Sequence, residues 1–404
     1  MSTSLLYHAF GLRGVHYTKA EYKEGRTIFG AELPTENLRC ATCQSPRVIL
    51  RGKKLRRFRC VPIGNRIIEV EMPVPRVECK DCGELRQVKV PFADPHQRHT
   101  RSFERYALEL SRKMTIQDVA EHLEISWDVI KDIQKKFLRR HFARPKLKRL
   151  RPIAIDEIAV AKGHRYVTVV LDLRTGAVVF VGDGKGADAL KPFWRRLRSA
   201  RARIEAVAMD MSPAYIEAVS THLPEAAIVF DRFHVIKLFN DRLSNFRREL
   251  YSQMKDKTDQ DVLKGIRWLL LKNPENLRAD RNEKERLEEA LKMNEPLSKA
   301  YYMKDSLRQF WDLKNYEEAK VFLDQWIGQA KASGIRMLYG MAKTLERHRE
   351  GLLNYHLYHI TTGPLEGTNN KIKTMKRQAY GFRDLEFFKL KIMAIHLCKY
   401  SLVG

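Results

Sequence analysis

The 404-residue sequence predicts a multidomain α/β protein, with small β-rich and helical domains ahead of a larger mixed one. Three observations carry that expectation. Two Cys-x-x-Cys pairs, Cys40-Ala-Thr-Cys43 and Cys79-Lys-Asp-Cys82, bracket a set of β-prone stretches. From about residue 101 the apolar positions switch to helical spacing. Beyond 152, apolar runs alternate with helical patterns, until strand-like runs vanish between roughly 238 and 355.

Charge bounds the partner. Lys and Arg number 75 against 49 Asp and Glu, a formal net charge of +26, which favours a polyanion. Nucleic acid is expected ahead of an anionic membrane surface, which would call for an amphipathic or lipidated anchor. The first twenty residues lack the basic start and long apolar core of a signal peptide. No apolar run approaches the ~18 residues that span a bilayer. A soluble, cytoplasmic, nucleoid-associated protein with no membrane partner is expected.

Residues 1–37 read as an N-terminal arm or small helical element. Over 38–95 the two Cys pairs, with 35 residues between them, read as one tetrahedral zinc site of Cys40, Cys43, Cys79 and Cys82 in a zinc ribbon. A redox motif would need only one pair, and Gly83 suits the turn of a metal knuckle. Cys60 and Cys398 read as small buried hydrophobes. Arg51 to Arg59 carries six positive charges and no acid, and is expected to form a basic hairpin whose Arg56 and Arg57 touch phosphate; a solvated hairpin tip is the plainer alternative.

Residues 96–151 read as a helix-turn-helix domain with a basic linker. Phe103, Tyr106, Ala107 and Leu110 mark one buried helical face. Thr115 caps a second helix with Asp118 three residues on, Ile125 lies in the turn, and Ser126 caps a third helix from Trp127. That last helix turns Val129, Ile130, Ile133 and Phe137 inward and basic residues outward. Lys131, Lys135, Arg139 and Arg140 are therefore candidates for DNA contact, against a plain helical hairpin as the alternative.

From 152 to 237 the order is strand-strand-strand-helix-strand-helix-strand, that of a ribonuclease-H-like core. Ile153-Ala154-Ile155-Asp156 and Ala206-Val207-Ala208-Met209-Asp210 are apolar runs closing on an Asp, 54 residues apart. That spacing lets neighbouring strands present both carboxylates at one edge. Glu366 opens an amphipathic Lys/Arg-rich helix and can close the cluster. Oxygen ligands of this kind suit hard divalent cations that work on a phosphodiester. Glu157 is a weaker candidate, since strand alternation turns it to the other face. Asp172 and Asp183 read as turn formers. Asp231, with His234 three residues on, reads as a helix cap over a packed imidazole.

Residues 238–355 read as an all-helical insertion, too long and charged to sit inside the core. It should form its own body, with Arg242, Arg247, Arg248, Lys255 and Lys257 offered to DNA or a partner subunit. Residues 356–404 return to the core as final helices, where Asn369, Lys373, Lys376 and Arg377 suit backbone contacts near Glu366.

These motifs together resemble the DDE-type transposases of bacterial insertion sequences, in particular the ISL-three family. The resemblance rests on the paired cysteines, the helix-turn-helix, Ala154-Ile155-Asp156-Glu157, Met209-Asp210-Met211-Ser212, Asp231-Arg232-Phe233-His234, Leu365-Glu366-Gly367-Thr368-Asn369-Asn370 and Tyr380-Gly381-Phe382-Arg383. It implies a ribonuclease-H-like catalytic core, Mg²⁺ or Mn²⁺ held by Asp156, Asp210 and Glu366, support of that site by Asp231 and His234 as an equal alternative to the cap, and binding of terminal inverted repeats and target DNA. Bringing two ends together makes a homodimer the minimal assembly. An inactive DNA-binding regulator of the same fold, or a nuclease limited to hydrolysis, are the rival functions.

Overall fold

The computed structural model describes residues 5–161 and 165–396; Cys398 lies outside them. The chain divides into two compact units, one running to Ala143 and including Gln378–Lys391, the other comprising Arg144–Arg377 and Ile392–His396.

In the first unit, β1 (His16–Lys23), β2 (Arg26–Glu32), β3 (Val48–Arg59) and β4 (Ile67–Cys79) form a sheet in the order β1-β2-β4-β3, and β5 (Leu85–Gln87) adds to β4. The stretch expected to be an arm or a small helical element holds a short helix, Leu5–Phe10, followed by two strands of this sheet. β2 buries Thr27 to Ala31 and pairs in parallel with β4, from Arg26 beside Ile67 to Gly30 beside Glu71. Phe29, Phe58, Val70, Met72 and Phe92 share one core with Leu6 and Phe10. Without β2 the Ile68–Val70 edge of β4 would carry unsatisfied backbone groups.

The basic run Arg51–Arg59 is not a hairpin tip. It belongs to the single strand β3, whose register against β4 slips between Leu50 and Lys53. Gly52 absorbs the bulge at φ +117°, a backbone setting that side chains disfavour.

Three helices follow: Arg101–Leu110, Ile116–His122 and Trp127–Phe142. Thr115 accepts the Asp118 N–H while the Asp118 carboxylate accepts the Thr115 N–H, closing the expected box. The turn is set by Glu124 at φ +47°. The Ile125 N–H reaches Ala120 O and the Glu124 N–H reaches Glu121 O, the paired bonds that stop a helix sharply. Ser126 stands at the cap position of the third helix with no side-chain bond, so only its carbonyl serves there. Val119, Leu123, Ile130, Ile133 and Leu138 are buried; Leu138 rather than the expected Phe137 fills the inner face.

The second unit is built on β6 (Pro152–Ala161), β7 (Arg165–Asp172), β8 (Val178–Asp183), β9 (Ala206–Met209) and β10 (Ala227–Phe230), in the order β10-β9-β6-β7-β8. β6, β7 and β8 are antiparallel neighbours, whereas β9 and β10 run parallel to β6. Helices Ala187–Ala200 and Pro213–His222 supply the crossovers. Asp172 is a turn former, its carboxylate accepting the Arg174 N–H and the Thr175 hydroxyl.

From Arg232 onward the described residues hold helices and turns and no strand. They do not make a body of their own. One continuous apolar core runs from Val207 and Phe230 of the sheet through Phe239 and Leu243 to Trp326, Leu345 and Leu353. The helix Arg349–Leu353 lies so close to β10 that a Cβ on Gly351 would stand 2.4 Å from the Phe230 ring. Two arginines expected on the outside are packing groups instead. Arg247 is buried and donates to Leu263 O at 3.1 Å, and Arg242 donates to Thr344 Oγ1 at 2.8 Å. A basic side chain satisfies helix-end carbonyls as readily as it meets phosphate, so composition alone does not separate the two roles.

Candidate functional site: a thiolate cluster and a carboxylate shelf

The four sulfurs of Cys40, Cys43, Cys79 and Cys82 lie within 4.8 Å of one another. Two matched turns place them. The Gln44 N–H reaches Cys40 O and the Gly83 N–H reaches Cys79 O, with Gln44 and Gly83 both at positive φ. Cys40 N and Cys79 N bond in turn to Ser45 O and Glu84 O. Cys40 Sγ stands 3.6 Å from Cys82 Sγ, and Cys43 Sγ 3.5 Å from Cys79 Sγ. Tetrahedral zinc–thiolate bonds of about 2.3 Å put sulfurs ~3.8 Å apart, so the cage fits that ion. Backbone N–H groups of Cys43 and Thr42 draw the Cys40 thiol down to about 6. The Glu84 N–H favours the Cys82 thiolate, but burial and the other three sulfurs push its thiol up to about 12. One negative charge forms easily and the last does not; a cation at the centre removes that conflict. Cys60 is fully buried, its thiol raised to about 12 by burial.

The second cluster is assembled by strand register. β6 and β9 pair with a constant offset of 54, Pro152 beside Ala206 and Ala154 beside Ala208. Continued two residues, the same offset sets Asp156 level with Asp210. β9 and β10 pair with an offset of 21, Met209 beside Phe230, which sets Asp231 next along. By these registers three aspartates align, Asp156 within β6 and Asp210 and Asp231 one residue past the ends of β9 and β10.

Each has a different environment. Asp156 Oδ1 accepts the Glu157 N–H at 2.8 Å and Oδ2 accepts the Asn369 side-chain amide at 2.7 Å. Burial raises its proton affinity, Asp210 adds to the rise, and the Glu157 N–H and His234 oppose it. Asp210 Oδ1 accepts the Ser212 N–H at 2.9 Å. Asp231 is buried and caps the helix Arg232–Gln253 through the Phe233 N–H, while its other oxygen accepts the Thr362 N–H at 3.0 Å. Burial alone would raise Asp231, but His234 and Thr362 overcome it and hold the carboxyl below its usual range. Burial would lower His234, yet Asp231, 3.6 Å away, and the fields of Asp156 and Asp210 raise it.

Glu366 is exposed in the first turn of the helix Gly363–Gln378. Asp231 grips the chain just before that helix and Asn369 ties its second turn to Asp156. Among the described residues the carboxylates of Asp156, Asp210 and Glu366 are not gathered as tightly as the four sulfurs. Glu157 points elsewhere, accepting the buried Tyr215 hydroxyl at 3.3 Å.

The basic candidates divide sharply. Arg57, Arg140, Lys373 and Arg377 are exposed, although Arg57 pairs with Glu71. Arg56 is half-buried, lies over the Phe58 ring at 4.8 Å and donates to Gln97 O. Lys131 and Lys135 meet Asp384 at 3.4 and 2.8 Å, and Lys135 and Arg139 meet Glu386 at 3.0 and 2.6 Å. Burial works against ionisation of Asp384, but Lys135 wins and holds it at about 2. Lys376 is half-buried, with Nζ 3.5 Å from Ala159 O. Asn369 is not the surface contact expected of it: only 7% exposed, it faces Asp156. The bonds from Asn369 and Thr362, and the pairing of Lys131, Lys135 and Arg139 with Asp384 and Glu386, carry no local sequence signal. Only the recurrence of polar residues on the inner face of an amphipathic helix hinted at the first.

A transposase family profile matches residues 153–392, and a profile for the helix-turn-helix domain of transposase family ISL3 matches residues 88–138. The transposase for insertion sequence element IS1001 of Bordetella parapertussis is 34% identical over 390 residues, covering 95% of this chain and 96% of that protein. The transposase for IS1557 of Mycobacterium tuberculosis is 30% identical over 357 residues, covering 82% and 80%. Among solved structures, the Drosophila P element transposase strand transfer complex aligns with 75% of this chain and 92% of that one. Its TM-score of 0.39 at 12% identity is too slight to bear on the fold. A DNA-binding helix-turn-helix ahead of a mixed α/β transposase domain defines the class: a DNA transposase. Within that class, the chain belongs to the ISL3 family of insertion-sequence transposases.

No helix among the described residues is long and apolar enough to cross a membrane.

Proposed function

We propose that this transposase binds the terminal inverted repeats of an insertion sequence and cuts and joins DNA strands with Asp156, Asp210 and Glu366. The observation that supports the reading is the constant 54-residue offset between β6 and β9, which, continued two residues past the printed pairing, aligns Asp156 with Asp210. The sheet order and the two crossover helices suit a ribonuclease-H-like core, and the helices from Arg232 onward read as an insertion that extends that core.

The donor set supports a hard divalent cation, Mg²⁺ or Mn²⁺. It is all oxygen, and Asp210 together with burial raises the proton affinity of Asp156, a cost that a nearby cation offsets. Bound there, such ions supply Lewis-acid charge to the phosphodiester and to the attacking hydroxyl. The chain itself contributes orientation. Glu157 and Asn369 fix the Asp156 carboxylate, Ser212 fixes Asp210, and Asp231 with Thr362 sets the start of the Glu366 helix. The four thiolates hold a structural zinc, separate from the chemistry. Arg140, Lys373 and Arg377 offer exposed charge to the DNA backbone, and Arg57 does so from beside its partner Glu71. A homodimer is the smallest assembly that serves two element ends, in the cytoplasm beside the nucleoid.

Incubation with Mg²⁺ and labelled element ends tests the function. Joined strands are the expected product. Nicks without joining would make the protein a nuclease, and binding without any cleavage would make it a regulator.

A further inference from the structure

Asn369 does two different things with its two ends. Its Nδ2 lies 2.7 Å from Asp156 Oδ2. An ionised carboxylate only accepts, so the nitrogen must be the end that faces it. Its Oδ1 is buried and has no hydrogen-bond partner. The residue as a whole is 7% exposed, so bulk water does not serve that oxygen freely.

A buried acceptor left without a donor is costly, and native structures seldom tolerate one without use. This one is held at the carboxylate shelf. Amide nitrogen and oxygen are ~2.3 Å apart, so Oδ1 lies at most ~5 Å from Asp156 Oδ2. The nearby His234 Nδ1, also without a hydrogen bond, at least has Asp231 at 3.6 Å as an ionic neighbour. Asn369 Oδ1 has none of this. Neutral amide oxygens are ordinary ligands of hard divalent cations.

We propose that Asn369 Oδ1 is a further oxygen ligand of the divalent cation held by Asp156, so that one side chain both orients the aspartate and completes its metal. The inference rests on the metal-dependent reading of the Asp156–Asp210–Glu366 site. It also gives the helix Gly363–Gln378 a second contribution, since Glu366 and Asn369 lie three residues apart and share one side of it.

The test is Mn²⁺ binding to the zinc-loaded full-length protein, measured by electron paramagnetic resonance and calorimetry without any turnover. Asn369→Leu, which keeps the branched shape and removes both polar ends, should weaken Mn²⁺ by about tenfold or more. Asn369→Asp keeps an oxygen but cannot donate to Asp156, and should bind Mn²⁺ at least as tightly as the wild type. Wild-type affinity in Asn369→Leu would overturn the proposal. So would an equal loss in Asn369→Asp, which would make the residue a positioning group for Asp156 only. Thermal melts accompany each variant, and Asn369→Ala replaces the leucine variant if the latter does not fold. Asp156→Asn and Asp210→Asn separate the two levels of the account. If they also bind Mn²⁺ as the wild type does, the metal-dependent reading itself falls; if only they lose it, the role of Asn369 alone is wrong.

Discussion

The two polar clusters of this transposase are built in opposite ways. The four thiols come from two tight turns, each fixed by its own backbone bonds, and the sulfurs already stand at the spacing a tetrahedral ion requires. The carboxylates come from distant parts of the chain: strand register aligns Asp156 with Asp210, and bonds from Asn369 to Asp156 and from Thr362 to Asp231 tie the helix that carries Glu366 to the sheet. The thiol cluster is closed and the carboxylate shelf is open. A closed cage gives binding energy to folding; an open shelf leaves room for substrate and for ions that come and go.

If that contrast is right, the largest effect should come from the shelf. Asp156→Asn, Asp210→Asn or Glu366→Gln should each cut strand cleavage by about 10²–10³-fold or more, while leaving thermal stability and end binding close to wild type. Near-normal single-turnover cleavage by any one of them removes that residue from the site.

The cage should fail as a structure instead. Replacing Cys40 and Cys43 with Ser should release about one zinc per chain and unfold the ribbon, because thiolate binding drives the folding of such modules. Elemental analysis of the purified variant, with circular dichroism, measures both. A ribbon that keeps its fold without zinc would erase the contrast from the other side.

Much of this was legible beforehand. Cys spacing, the Thr115–Asp118 box and the two apolar runs ending in Asp156 and Asp210 are local patterns, and the 54-residue spacing turned out to be the strand register itself. What stayed hidden was non-local. β2 pairs with a strand some forty residues further on, and nothing in Arg26–Glu32 announces that partner. The Lys131–Lys135–Arg139 face looked free because Asp384 and Glu386 lie about 250 residues away in sequence. The long helical stretch suggests a separate body because its charge is conspicuous, whereas its joint with the sheet is made by scattered apolar residues of one shared core, with Gly351 fitted against the Phe230 ring.

That joint gives a mid-sized test. Gly351→Ala forces a methyl towards the Phe230 ring and should cost about 1–3 kcal/mol, seen as a lower melting temperature. Arg247→Met leaves Leu263 O without its donor and should cost about 1–3 kcal/mol without any direct effect on DNA affinity. A fall in end binding at unchanged stability would return Arg247 to the DNA-facing role first expected of it.

The smallest effect concerns pH. Asp384 sits at about 2 in the folded chain, below its ordinary 3.8, because of Lys135 and Lys131. A depressed carboxyl stabilises the fold above the unfolded value and loses that contribution as pH falls through the folded one. Stability should therefore decline between about pH 4 and pH 2 more steeply in the wild type than in Asp384→Asn. Parallel acid titrations followed by tryptophan fluorescence would show it.

The separation of the two sites is tested most directly by stripping the protein with a chelator for hard divalent cations, too weak to take zinc from four thiolates. The expected result is about one zinc per chain retained, an unchanged circular dichroism spectrum, and strand cleavage lost until Mg²⁺ or Mn²⁺ is returned. Cleavage that persists after stripping, or that disappears only when the zinc itself is removed, would contradict an account in which the carboxylates do the chemistry and the thiolates hold the fold.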